Sequence, residues 1–195
     1  MRIAKLEKSK RLSEITIGFG AYIVISAAFM LQVRNWLFKV FGDLVVITSF
    51  RLCFILIFLF TLIYAFRIRL GLFNICATAS IFILGYFFAM WQPFFSEKTH
   101  VLTYGLLGYL ATNDLVDARS NPQFKYIAQA LIFVSLVSAL DEIFQGILAY
   151  RYAELKDFIT NIMSGVLGIA LLFTLQNKRR FPEQTGKCTQ VLLNA

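Results

Sequence analysis

Apolar residues in this chain gather into long runs: about Ile15 to Leu31, Leu44 to Phe66, Leu70 to Trp91, Thr99 to Thr112, Phe124 to Tyr150 and Leu155 to Gln176. Each is bounded by charged or turn-forming residues, among them Arg34, Asp43, Arg67, Arg69, Pro93, Asp114, Pro122, Arg151 and Lys178. A helix needs about 20 such residues to cross a bilayer core, and only structures that satisfy their own backbone hydrogen bonds are stable there. The pattern predicts an all-α, polytopic transmembrane helical bundle of about six spans in the cytoplasmic (inner) membrane. The fourth run is the shortest. At 1.5 Å per residue Thr99 to Thr112 covers about 21 Å, so it either takes in Ser96 to Lys98 or is partly re-entrant.

Of the 195 residues, 58% are apolar and 15% charged, and the mean hydropathy is +0.70. Ordinary soluble domains carry about 45–50% apolar and about 25% charged residues, and six spans leave no length for an extramembrane domain of useful size. The net charge of +8 does not point to nucleic acid, because the Lys and Arg residues sit in short clusters between apolar runs and report topology instead. With six spans, thirteen basic residues fall on one side and five on the other. The richer side holds Arg2, Lys5, Lys8, Lys10, Arg11, Arg67, Arg69, Arg119, Lys125 and the four basic residues after Gln176. Both termini are therefore expected in the cytoplasm.

The chain divides into a basic cytoplasmic N-terminus over 1–14, three spans over 15–93, three more over 94–176 and a cytoplasmic tail over 177–195. The first apolar run exceeds the h-region of about 7–15 residues found in signal peptides and lacks a clean small-x-small cleavage site, so a retained span is expected. Cys53 and Cys76 lie inside apolar runs and Cys188 in the tail, which places no pair to form a disulfide.

In so apolar a chain, the informative residues are the polar ones. With the expected topology, Glu97, Lys98, His100 and Tyr104 lie at the outer end of the fourth span. Ser138, Asp141, Glu142 and Gln145 lie near the outer end of the fifth, and Asp157 and Asn161 begin the sixth. At about 100° per residue, the four polar residues of the fifth helix occupy one stripe about 100° wide. Asp157, Asn161, Ser164, Gly165 and Gly168 fall within a similar arc of the sixth, and His100 and Tyr104 are about 40° apart on the fourth. Ser164, Gly165 and Gly168 also form a small-residue face of the kind that lets transmembrane backbones approach closely.

A carboxylate at mid-bilayer costs about 2.5–3.5 kcal/mol even on the lenient insertion scale, so Asp141 and Glu142 require partners inside the bundle. Arg51, about 10 Å down the second span, stands at a similar depth and is expected to pair with Asp141 or Glu142. Arg151, Lys156 and Lys98 at the rim offer cations to a phosphate or carboxylate. A metal site of His100, Asp141, Glu142 and Asp157 would lack both a Cys pair and a His-x-x-x-His spacing. No metal or other cofactor is assigned.

The order and spacing of Glu97-Lys98-Thr99-His100, Tyr104, Gly108, Asp141-Glu142, Gln145, Arg151, Asp157, Asn161, Gly165 and Gly168 resemble the pattern of VanZ-like membrane proteins, over about Phe94 to Leu172. Glu97 stands where an Asp is common in that pattern. The resemblance implies a cell-envelope role and a link to low-level resistance to the lipoglycopeptide antibiotic teicoplanin.

Three function classes stay open. In the first, an outer-face polar pocket formed by Glu97, Lys98, His100, Tyr104, Asp141, Glu142, Gln145, Arg151, Asp157 and Asn161 binds or modifies a lipid-linked or cell-wall component. In the second, a membrane enzyme acts on a lipid or lipid-linked glycan, with His100, Asp141, Glu142 and Asp157 as acid/base candidates. The third, an ion or solute carrier, has the least support, because the inner halves of the last three spans carry no ionisable relay. Against all three stands a polar network that only locks the helices together. The expected partners are membrane lipids and, on the first reading, the envelope component; the sequence leaves the oligomeric state open.

Overall fold

The computed structural model describes residues 11–116 and 124–176. The basic residues Arg2, Lys5, Lys8 and Lys10, Arg119 and the tail 177–195 lie outside them, and so does most of the charge asymmetry used to orient the chain. The described residues form five helices and no strand: α1 (Glu14–Arg67), α2 (Leu72–Trp91), α3 (Phe95–Leu115), α4 (Phe124–Ile147) and α5 (Leu155–Gln176). Four of them, α1, α2, α4 and α5, are long and apolar enough to cross a membrane. Their outward faces are strongly apolar, with Phe60 75%, Phe73 82% and Trp91 87% exposed, as lipid-facing surfaces are.

The first two of the six apolar runs form the two helical arms of α1, a 54-residue stretch broken at one non-helical residue, Gly42 (φ 77°, ψ 159°). That backbone conformation is open essentially to glycine alone, and it divides α1 into two arms. Phe38 of the first arm and Phe50 of the second both pack edge-on against Phe95, at 5.4 and 5.7 Å between ring centroids. Twelve residues of straight helix would separate them by about 18 Å, so the chain folds back at Gly42. The fourth run takes the first of its two expected forms: α3 extends from Phe95 to Leu115, taking in Ser96 to Lys98, and its charged and polar residues leave it less apolar than the four helices above.

α3 and α5 run parallel and share the most extensive interface in the bundle. The small-residue face of α5 is where they meet. A methyl group at Gly168 would collide with the carbonyl of Gly105, and one at Gly108 with the backbone of Gly165. Backbone-to-backbone contact of this kind gains van der Waals packing and fixes the two helices in register. α4 runs antiparallel to both and inserts Val134 against Gly165. The first arm of α1 closes over α3 and α4 through Ile23, Leu107 and Val137, while the second arm packs Phe50 and Phe54 on Phe82 of α2.

Candidate functional site

The parallel pairing of α3 with α5, and the antiparallel course of α4, bring the start of α3, the end of α4 and the start of α5 to one end of the bundle. A stripe on each helix is thereby turned inward. Tyr104, Ser138 and Asn161 are fully enclosed, and Asp141, Glu142, Gln145 and Glu97 are buried with 2 to 7% exposure.

Their contacts run across helices. Tyr104 Oη donates to Asp141 Oδ2 at 2.9 Å, joining α3 to α4. Asn161 Nδ2 donates to Ser138 Oγ at 3.0 Å, joining α5 to α4. Asn161 Oδ1 lies 3.0 Å from His100 Nδ1, and because the amide nitrogen is engaged by Ser138, this oxygen is the acceptor. The proton then resides on Nδ1, leaving Nε2 as the basic nitrogen of the ring. Lys156 Nζ meets Glu97 Oε2 at 2.9 Å, and the backbone N–H of Glu154 donates to Glu142 Oε2 at 2.9 Å.

Several buried atoms lack a well-formed hydrogen bond: Asp141 Oδ1, Glu142 Oε1, Gln145 Nε2, Arg151 Nε and Asp157 Oδ1, although the Gln145 side chain does approach the Asp141 carboxylate. More than nine-tenths of buried polar groups in proteins are paired, so the gathering of such atoms at one end of the bundle requires a reason. Beside them opens a cavity of about 80 Å³, lined among others by His100, Asp141, Arg151, Ser26 and Arg34.

The expected pairing of Arg51 with Asp141 or Glu142 is not what the structure contains. Arg51 is exposed on the second arm of α1, and Lys98 is among the charges it acts on. The cation acting on both Asp141 and Glu142 is Arg151, from the α4–α5 connection. Equal depth in a bundle does not fix the direction a side chain faces: Phe50 and Phe54 take the packed face of that arm, which turns Arg51 outward. Lys98 is likewise directed away from the cluster, donating to the carbonyl oxygens of Met90 and Gln92. The remaining sequence-predicted residues, Glu97, His100, Tyr104, Asp141, Glu142, Gln145, Arg151, Asp157 and Asn161, lie together at this end.

Two cavity-lining residues, Ser26 and Arg34, escaped the sequence reading, which found no polar role for the first span. The signal was present in the spacing of Ile23, Ser26, Met30 and Arg34, which fall on one helical stripe about 80° wide, and all four line the cavity.

Fold and site together define an all-α integral membrane protein with a buried polar cluster at one end of its bundle. A family model described as VanZ/LLP1 matches residues 11–176, and the chain belongs to this family. No curated protein and no solved structure matches it.

Proposed function

We propose that this VanZ-family protein resides in the cytoplasmic membrane with both ends in the cytoplasm and the polar end of its bundle facing outward. There it binds a lipid-linked or cell-wall component and so alters susceptibility to teicoplanin-like glycopeptides. The supporting observation is that Asp141 and Arg151, each with a buried atom lacking a hydrogen-bond partner, line one cavity, with further such atoms on Glu142, Gln145 and Asp157 at the same end of the bundle. A network serving only to lock helices together would pair these atoms internally. Groups left free around a concave space are what a polar ligand engages.

A second reading, a membrane enzyme acting on a lipid or lipid-linked glycan, is favoured by one feature. His100 and Asp141 line the same cavity, an arrangement suited to proton transfer if the ring's Nε2 faces a bound ligand.

The test is complementation of a deletion strain with wild type, Asp141→Asn, Glu142→Gln and His100→Ala at matched membrane abundance. Teicoplanin susceptibility and the lipid and cell-wall precursor profile are the readouts. Loss of the susceptibility phenotype in the variants with an unchanged profile is the expected result. A changed profile selects the enzyme reading, and full complementation by all three variants refutes both.

A further inference from the structure

Two cavities adjoin along α3, meeting at Thr103. The polar one is bounded on α1 by Tyr22 to Leu37 and on α3 by Phe95 to Thr103. The second reaches Phe19, one turn from Tyr22 on the first arm of α1, and continues along α3 past Thr103 to Tyr109, facing the second arm of α1 from Phe54 to Tyr64. It has a volume of about 620 Å³, inside the range of about 300–1,000 Å³ typical of small-molecule sites. Phe54, Phe82, Leu102 and Leu171 line it, so both arms of α1 together with α2, α3 and α5 contribute to its wall. Thr103 lines both cavities. Its hydroxyl is engaged by the carbonyl oxygens of Thr99 and His100, each at 3.2 Å, and so leaves no unpaired polar group at the junction.

The two chambers differ in what they accept. Walls almost devoid of polar groups suit hydrocarbon, whereas the polar chamber is lined by two arginines, Arg34 and Arg151, and a single acidic residue, Asp141. Two arginines attract a phosphate group, which their planar fork of donors fits. Asp141 keeps Oδ2 on Tyr104, and Oδ1, which lacks a well-formed hydrogen bond, is placed to accept one from a hydroxyl or a protonated phosphate oxygen.

We propose that the two cavities form one site for a single phosphate-bearing lipid. Its headgroup lies against Arg34, Arg151 and Asp141, and one hydrocarbon chain passes Thr103 into the apolar chamber. This rests on the ligand-binding reading above and names the chemical class of the ligand.

The experiment uses the full chain reconstituted in phosphatidylcholine vesicles that carry a small fraction of chain-labelled phosphatidic acid or chain-labelled phosphatidylcholine. The motionally restricted label is read by electron spin resonance. For wild type, phosphatidic acid is expected to be restricted with about a tenfold preference. Arg34→Gln combined with Arg151→Gln should abolish the preference. Leu102→Trp, which fills the apolar chamber, should remove the restricted component. Should that variant fold poorly, Gly85→Leu serves instead, since a Cβ there meets Phe54 only at an ordinary 3.6 Å. Equal restriction of both labelled lipids, unchanged by every substitution, overturns the proposal and leaves only boundary lipid. Stabilisation by inorganic phosphate without any lipid preference also overturns it, while the polar pocket keeps its ligand-binding reading. A lipid preference that persists alongside full complementation by Asp141→Asn and His100→Ala keeps the lipid site and rejects the envelope role.

Discussion

His100 and Asn161, sixty-one residues apart in the chain, meet at 3.0 Å between Nδ1 and Oδ1, and this contact decides which nitrogen of the only histidine carries its proton. Asn161 sits at the centre of the cluster, accepting from α3 and donating to α4.

Replacing Asn161 with Leu leaves the half-buried His100 Nδ1 and the buried Ser138 Oγ without this partner, a loss of about 1–3 kcal/mol. The thermal unfolding midpoint in detergent is expected to drop. His100→Ala added to Asn161→Leu should lower it by less than the sum of the single effects, because both substitutions remove the same bond.

The α3–α5 seam discriminates between neighbouring glycines. Gly168→Ala places a methyl group against the Gly105 carbonyl and the Tyr109 amide nitrogen, where only backbone movement relieves the clash, and costs about 1–3 kcal/mol or more. Gly105→Ala meets Ser164 O at 3.6 Å, an ordinary contact, and should unfold near the wild-type temperature. Equal midpoints for the two variants would place the helices further apart than described.

Gly42 makes a different demand. A Cβ there has open space but the wrong backbone angle, φ 77°, so Gly42→Ala is expected to cost about 1–3 kcal/mol through strain alone. Gly18 also has open space but lies in regular helix, where Gly→Ala is worth about 0.5–1 kcal/mol of stabilisation. Opposite shifts in the unfolding midpoint distinguish the reversal at Gly42 from an ordinary helix glycine.

At the other end of the bundle Asp114, in the last turn of α3 beyond the apolar stretch, ties down the start of α1. Burial pushes its pKa up, but Thr16 Oγ1 at 2.6 Å and the backbone N–H and hydroxyl of Ser13 hold it net below the usual carboxylate value. A carboxyl whose folded pKa is depressed contributes its full stability above the unfolded value of about 3.9 and loses it as pH falls toward the folded value. Asp114→Asn should therefore unfold at a lower temperature than wild type at pH 7, with the gap closing only below about pH 4. A gap that is the same at both pH values would mean that the charge plays no part.

Much of the site was legible because helical periodicity converts spacing into a face. Asp141, Gln145, Ser138 and Glu142 share one stripe on paper, and all four are buried in the bundle. The small-residue face at Ser164, Gly165 and Gly168 was readable for the same reason. Periodicity does not say which neighbour a face meets. Depth alone matches Arg51 to Asp141 or Glu142, whereas its direction is set by the packing of Phe50 and Phe54. Arg34 and Ser26 lie on a stripe as regular as the others, but nothing in their own run says that it packs beside α3. The reversal between the two arms of α1 turns on the backbone angle of one residue, Gly42, and composition carries no sign of it.

The convergence of α3 and α4 at the polar end is tested most directly by a double-mutant cycle on Tyr104→Phe and Asp141→Asn, read as unfolding free energy of the reconstituted protein. A hydrogen bond between these side chains inside the bundle should appear as a coupling of about 0.6–1.7 kcal/mol. Strictly additive effects, with no coupling, would contradict the buried polar cluster on which the functional reading depends.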